Sequence, residues 1–296
     1  MIFDSPAQAD TALIIDLSNL AWRGYHANGE LKTSKGEPSG HVHSAMNMLQ
    51  AKLRDLGSSL CVIMAYDGKD AKAERRKIFP EYKANREDRL FDPIPGVKEL
   101  CSFLPGLHIE QPEREGDDAI VYACDLCASK DIIVFTGDAD LWPLLARKNV
   151  RIFSPNLNRM VEISDVYAKY HVMDPTKIPI SKAIFGDSDN IKGVFRLQKR
   201  QIEPVLNDPK CVDIDSFYGM LTEKPVSMTE NMYNKTQEAE SRVRTNYQVI
   251  LPNITGFTKA SIKRVYKNLE NKEGLLALLR RYECNSMLEK AGGLYE

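Results

Sequence analysis

Nine acidic residues of this chain sit where apolar runs end or in short polar turns, and groups so placed can hold cations. Asp16 closes ALIID, Asp67 closes CVIMAYD, and Asp138 with Asp140 closes DIIVFTGDAD. Glu115, Asp117 and Asp118 lie in EGDD, and Asp187 and Asp189 in GDSDN. In an open parallel sheet the carboxyl ends of the strands share one edge, and ligands bind in the crevice there. Carboxylates gathered at such an edge repel one another, so they take up protons or draw in counter-ions. Donor sets made only of oxygen favour hard cations, which points to Mg2+, with Mn2+ able to substitute. Two such ions ~3.5–4 Å apart clamp the attacking and leaving oxygens of an in-line phosphoryl displacement and acidify a water nucleophile. Phosphodiester hydrolysis is the chemistry this set would do.

Each cluster also has a plain structural use. Acidic residues in EGDD suit the first turn of a helix, where they oppose the macrodipole. Asp138 and Asp140 suit the cap of the helix that follows. Asp187-Ser-Asp-Asn suits a polar turn. Glu115 and Asp118, three residues apart, share a helix face, and carboxylates at the ends of separate strands rarely converge without a metal.

The elements that would position these groups are legible. Residues 12–17, 60–66, 131–136 and 150–153 read as short buried strands, and Leu107–Ile109 as a short extended piece. Residues 41–56, 95–104 and the stretch opened by EGDD read as amphipathic helices, so the fold class is α/β with strands joined by crossover helices. The segment 69–92 differs: Lys69, Lys72, Arg75, Arg76, Lys77, Lys83, Arg86 and Arg89 outnumber its acids, and it reads as too charged for a core. Beyond about residue 160 the pattern changes to helices between polar loops, so a boundary is expected there, with 1–160 as the α/β portion and 161–296 as a helical subdomain. Residues 258–282 are read as a helix with Ile262, Val265, Tyr266 and Leu269 on its apolar face.

Composition narrows the options. A formal net charge of −1 over 296 residues argues against a bulk polyanion binder, so any nucleic-acid contact needs a local basic patch such as 69–92. Six cysteines without a disulfide framework suggest a reducing compartment. Cys124 and Cys127 have redox spacing but fall at apolar helix positions, so buried thiols are expected. His41 and His43 are expected at the surface. No apolar run approaches the ~20 residues that span a bilayer, and the start of the chain has no leader pattern, so a cytoplasmic protein is expected, in the host cytoplasm if viral, with no membrane partner.

IIDLSNLAWRGYHA, GEPSG, FPEYKANR, EGDDAI, FTGDADL and GDSDNIKGV occur in this order. Together they resemble the flap endonuclease and 5′–3′ exonuclease family, including the 5′-nuclease portion of bacterial DNA polymerase I, from about residue 11 to 195. The absence of an attached polymerase looks most like the stand-alone phage enzymes, including phage ribonuclease H. The resemblance implies a PIN-like fold, a mostly parallel central sheet with a helical arch and a C-terminal helical subdomain. It implies that Asp16, Asp67, Glu115, Asp117 and Asp138 hold one ion, and Asp140, Asp187 and Asp189 the second, with Asp118 matching an adjacent acid. Lys83 and Arg86 match basic residues of the arch, Tyr82 would stack on a base, and Arg23 matches a basic residue near the phosphate path. DNA with a 5′ flap or 5′ end and RNA–DNA hybrids would be the substrates, with single-strand binding protein and other replication proteins as partners of a monomeric enzyme.

Two departures stand out. The last acidic pair of the family usually has two residues between its members, whereas only Ser188 lies between Asp187 and Asp189. The family's glycine-rich helix-hairpin-helix, which often grips duplex phosphates through K+, is replaced by FRLQKRQIEPVL. Lys192, Arg196, Lys199 and Arg200 would then carry that grip, and K+ would lose its usual loop.

Other functions fit less of the pattern. A phosphatase of the haloacid dehalogenase type wants an aspartate where Ser18 stands, and a glycosyltransferase would leave Asp16, Asp67 and EGDD idle. A PIN-type ribonuclease needs no basic arch. A non-catalytic nucleic-acid binding protein with a degenerate pocket predicts gaps among the acids.

Overall fold

A computed structural model describes residues 2–3, 9–57, 59–84, 91–187, 191–194 and 197–295, with Ile2 and Phe3 described by backbone alone. Arg86, Asp189 and Arg196 lie outside the described residues. The chain divides into two compact units: 1–71, 89–137 and 254–296 form one, and 72–88 with 138–253 form the other. The division differs from a single boundary near residue 160, because the last stretch of chain belongs to the first unit.

The first unit is an α/β sheet. Its elements are β1 (Ile2–Phe3), β2 (Thr11–Asp16), α1 (Leu17–Asn28), α2 (Gly40–Leu56), β3 (Leu60–Ala65), α4 (Ile94–Ser102), β4 (Gly106–Ile109), α5 (Gly116–Leu126), β5 (Asp131–Phe135), β8 (Ile262–Val265), α12 (Leu269–Arg281) and α13 (Leu288–Gly292). β5, β2, β3 and β4 run parallel in that order, and β1 adds to β3 in parallel. All six residues of β3, and all but Thr11 of β2, are buried, the mark of strands covered on both faces. The expected strands and helices of this portion appear within a residue or two of their predicted bounds.

The tail is a correction. Ile262–Val265 forms β8, which pairs antiparallel with β4, Ile262 opposite Ile109 and Val265 opposite Gly106. A 3-10 turn over Lys259–Ser261 precedes the strand, and the α-helix begins only at Leu269, capped by Asn268, whose side chain accepts the Asn271 N–H at 2.7 Å. His41 is another correction: it is 2% exposed, its ring 5.1 Å from that of Phe91 and 5.6 Å from that of Tyr282. Cys124 and Cys127 are buried as expected, and burial pushes the Cys127 thiol up to about 11.

The second unit is mainly helical. It holds α3 (Ala73–Ile78), a 3-10 helix over Ala139–Ala146, the hairpin of β6 (Val150–Ser154) and β7 (Arg159–Met160), α6 (Ile163–Tyr170), α7 (Ile178–Phe185), α8 (Lys199–Leu206), α9 (Ile214–Met220), α10 (Glu230–Glu238) and α11 (Glu240–Ile250). α7 and α11 pack together, joined by Asn246, whose amide donates to the Ala183 carbonyl at 2.9 Å.

Candidate active site

In the first unit the acidic residues gather at the carboxyl edge of the sheet. Asp16 ends β2 opposite Ala65 of the parallel β3, so Asp16 and Asp67 leave at the same edge. Asp16 caps α1, accepting the Asn19 N–H at 3.0 Å, and accepts the Thr136 hydroxyl at 2.7 Å just past β5. Asp67 accepts the Gly116 N–H at 2.6 Å and the Ser18 hydroxyl at 2.8 Å. The glycine of EGDD is thereby explained: a Cβ at Gly116 would stand 3.3 Å from Asp67 Oδ1. Thr136, two residues before Asp138, and Gly116, inside EGDD, were not read as partners of the acids, and Ser18 entered only as a departure from the phosphatase pattern.

EGDD does two things. Glu115 caps α5, and Asp118 closes a capping box by accepting the Glu115 N–H at 3.1 Å. Asp118 is 1% exposed and so serves the helix terminus, as the plain reading of an acidic first turn holds. Asp117 lies half-buried in the same first turn.

In the second unit Asp138 caps the 3-10 helix, its Oδ1 accepting the Asp140 N–H at 2.8 Å. Burial, with Asp140 beside it, holds the Asp138 carboxyl above the usual carboxylate range, against the opposing pull of that N–H, Lys182 and Lys83. Lys182, in the last turn of α7, reaches Asp140 at 2.6 Å and Asp187 at 3.0 Å. Burial alone would lower its pKa, yet the two carboxylates leave it raised. The sequence reading missed Lys182; its signal was a single cation inside the apolar helix IPISKAIF. The Asp187 N–H donates to the Ile191 carbonyl at 2.9 Å, and the preceding Gly186 has φ +78°, where an added Cβ would lie 2.3 Å from that carbonyl oxygen.

Two cations of the basic segment are buried, while Lys69, Arg76 and Lys77 are exposed. Arg75 and Lys83 are each 8% exposed, and the Tyr82 ring is buried against Ile191 and Val249 rather than presented for stacking on a base. Burial follows from pairing: Arg75 Nε donates to the Val249 carbonyl at 3.0 Å, and the Lys83 ammonium lies 4.9 Å from the Tyr82 ring centre. Lys83 adopts φ 53°, a conformation that non-glycine residues rarely take. Arg23 lies half-buried on α1. Lys199 donates to the Lys169 carbonyl at 2.7 Å and Arg200 to Gln198 at 2.9 Å, while Lys192 bridges back to Gly186.

Among the described residues no three His, Cys, Asp or Glu side chains form a ready metal-binding cluster. The donors are all oxygen in both units, and a buried ammonium already bridges Asp140 and Asp187. This chemistry fits hard divalent cations and not zinc-type sulfur or nitrogen ligation.

A family model described as the 5′-3′ exonuclease, N-terminal resolvase-like domain matches residues 11–173. The chain belongs to the 5′-3′ exonuclease family. Among curated members, a 5′-3′ exonuclease of Aquifex aeolicus is 30% identical over 190 residues, covering 62% of this chain and 64% of its own. A thermostable DNA polymerase I of Thermus thermophilus is 26% identical over 95% of this chain but only 33% of its own length. The chain thus spans between a third and two thirds of these relatives. Two solved structures share the fold: a 5′-exonuclease of T5 with bound divalent zinc ions, at a TM-score of 0.64, 20% identity and coverage of 97% and 100%, and the catalytic core of Rad2 in complex with DNA substrate, at 0.54, 12%, 96% and 92%.

Proposed function

We propose that this 5′-3′ exonuclease family member is a divalent-metal-dependent 5′ nuclease, cutting phosphodiester bonds near the 5′ end or 5′ flap of DNA and acting on RNA primers in RNA–DNA hybrids during replication. The observation that carries the reading is the family match over residues 11–173, which takes in Asp16, Asp67, Glu115, Asp117, Asp138 and Asp140 at strand ends and helix starts. The T5 5′-exonuclease, similar in fold, binds divalent ions, and the Rad2 core binds a DNA substrate. Mg2+ is the ion expected in the cell, with Mn2+ able to replace it. The reading extends to a monomer in the cytoplasm; among the described residues no helix is long and apolar enough to cross a membrane.

Bound at these carboxylates, two divalent ions would supply an acidified water and charge neutralisation at the phosphate. The protein's own groups do the rest. Thr136, Ser18 and the Gly116 N–H fix the Asp16 and Asp67 carboxylates in orientation, leaving their remaining lone pairs for ligation. Asp118, committed to its cap, is left out of the ligand set. Lys83, held in a strained backbone conformation over Tyr82, offers a charge to a substrate phosphate.

The test is cleavage of 5′-labelled flap DNA and of an RNA–DNA hybrid, with and without Mg2+, by the wild type and Asp67→Asn. Mg2+-dependent cutting lost in the variant supports the metallonuclease, and product lengths separate flap from exonuclease use. Flap binding without cleavage by the wild type overturns it in favour of a binding protein.

A further inference from the structure

Within the second unit, α11 holds the chain that returns from Asp187 one residue at a time. Ile191 packs with Val249 and Tyr82 in one buried cluster. The Lys192 carbonyl accepts an N–H of the Asn246 side chain at 3.1 Å, and the Gly193 carbonyl accepts from the Arg242 guanidinium at 3.1 Å. Three successive residues of that limb thus meet Val249, Asn246 and Arg242, which are spaced three and four apart and so share one face of the helix. The Asn246 amide also donates to the Ala183 carbonyl in the last turn of α7 at 2.9 Å, so one side chain ties together the chain before Asp187 and the chain after it. Main-chain bonds complete the hold: the Asp187 N–H donates to the Ile191 carbonyl at 2.9 Å and the Val194 N–H to the Ile184 carbonyl at 2.7 Å. Asn246 is 3% exposed, and a buried carboxamide that commits its amide hydrogens to two main-chain carbonyls fixes their separation.

We infer that Asn246 and Arg242 are positioning residues for Asp187: the face of α11 that carries them sets where this carboxylate stands, and thereby the affinity of the second divalent ion. The inference rests on the nuclease reading above and on Asp187 as a ligand within it. Metal ligands must be held to within about 0.5 Å, and a group carried past the end of a helix is less precisely placed than one on a strand. Asp187 is such a group. Lys182, at 3.0 Å, supplies it with charge, but a single flexible ammonium does not fix the main chain that carries it. The hydrogen bonds from α11 do, and they touch neither the carboxylate nor the ion. Their loss is therefore expected in metal affinity, with substrate affinity kept.

The test is Mn2+ titration of the full chain without DNA, with free Mn2+ followed by electron paramagnetic resonance, beside the Mg2+ dependence of flap cleavage and the KM for flap DNA. The variants are Asn246→Leu, similar in size but without donors, Arg242→Ala, and Asp187→Asn as the reference. Asn246→Leu is expected to weaken the looser of two Mn2+ affinities by about tenfold, the low end for an outer-shell change, and to leave the tighter one as in wild type. The Mg2+ needed for half-maximal cleavage should rise in step, with flap KM unchanged and the rate restored at saturating metal. Arg242→Ala should shift the same quantities by about threefold, the share of one exposed hydrogen bond. Arg242 is exposed, so its variant decides the matter should Asn246→Leu not fold. The inference is overturned if Asp187→Asn lowers the Mn2+ affinity while the α11 variants leave it unchanged, or if their loss of cleavage is not restored by metal. Mg2+-dependent cleavage by the wild type together with Mn2+ binding that Asp187→Asn does not alter overturns the inference and leaves the nuclease reading standing. A wild type that neither binds Mn2+ nor cleaves removes both.

Discussion

Lys182 holds Asp140 at 2.6 Å from inside the second unit, with only 7% of its side chain exposed, and the same ammonium reaches Asp187 at 3.0 Å. One buried cation thus neutralises two carboxylates that the family resemblance assigns to a metal. Removing it takes this counter-charge from both. Lys182→Met is expected to lower stability in metal-free buffer by about 2 kcal/mol, below the 3–5 kcal/mol of a fully buried pair because Asp140 is 37% exposed. Urea unfolding with and without Mg2+ checks this: the divalent ion should recover more stability in the variant than in the wild type.

Asp118 and Asp67 separate cap from ligand. The amide of Asp118→Asn still accepts the Glu115 N–H, so this variant is expected to keep cleavage within about tenfold of wild type. Asp118→Ala, which loses the cap, should cost about 1 kcal/mol. Asp67→Asn is expected to lose far more than the roughly 10–100-fold typical of an outer-shell partner. Steady-state cleavage beside thermal melts gives the comparison; equal losses in Asp118→Asn and Asp67→Asn would make Asp118 a ligand.

Tyr82 is a core residue in a charged segment. Tyr82→Ala is expected to destabilise by about 3 kcal/mol, as for other large-to-small aromatic changes, and Tyr82→Leu by much less. If instead Tyr82→Leu melts like wild type but loses affinity for flap DNA, the ring stacks on a base after all.

His108, in the first unit, gives a pH test. Its Nε2 faces the Leu104 carbonyl at 3.0 Å and must carry the proton, leaving Nδ1 to accept the Tyr66 hydroxyl at 2.5 Å. Burial lowers its pKa to about 4. The unfolded chain titrates near 6.5, so between those values the unfolded state binds more protons and stability rises with pH. The contribution is complete above about pH 6.5, is lost as pH falls to about 4, and amounts to at most about 3 kcal/mol. Denaturant midpoints of His108→Gln across this window should show a flatter slope than wild type.

The α/β portion was legible because Leu13, Ile14 and Ile15, and the run from Leu60 to Ala65, are continuous apolar stretches that only a doubly covered strand explains, and each ends near an acid. The strand β8 was not, because Ile262, Val265, Tyr266 and Leu269 recur at the spacing of a helix face while only the first four residues pair with β4. Periodicity cannot register a cap at Asn268 that divides one pattern into two elements. Lys182 went unnoticed, and the burial of Tyr82 was not foreseen, for a related reason: their partners Asp140 and Val249 are far away in sequence, and charge density along the chain says nothing of pairing across it.

The pairing of Ile262 with Ile109 also sets an order of events during synthesis. The open side of β4 waits, unpaired, until more than half of the chain has followed it from the ribosome. Until then a row of backbone donors and acceptors is on offer to any other extended segment, the condition under which nascent sheets join the wrong neighbour. Closing so long a loop is slow. Lys263 and Arg264 in β8 keep that late-arriving strand soluble while it waits to dock.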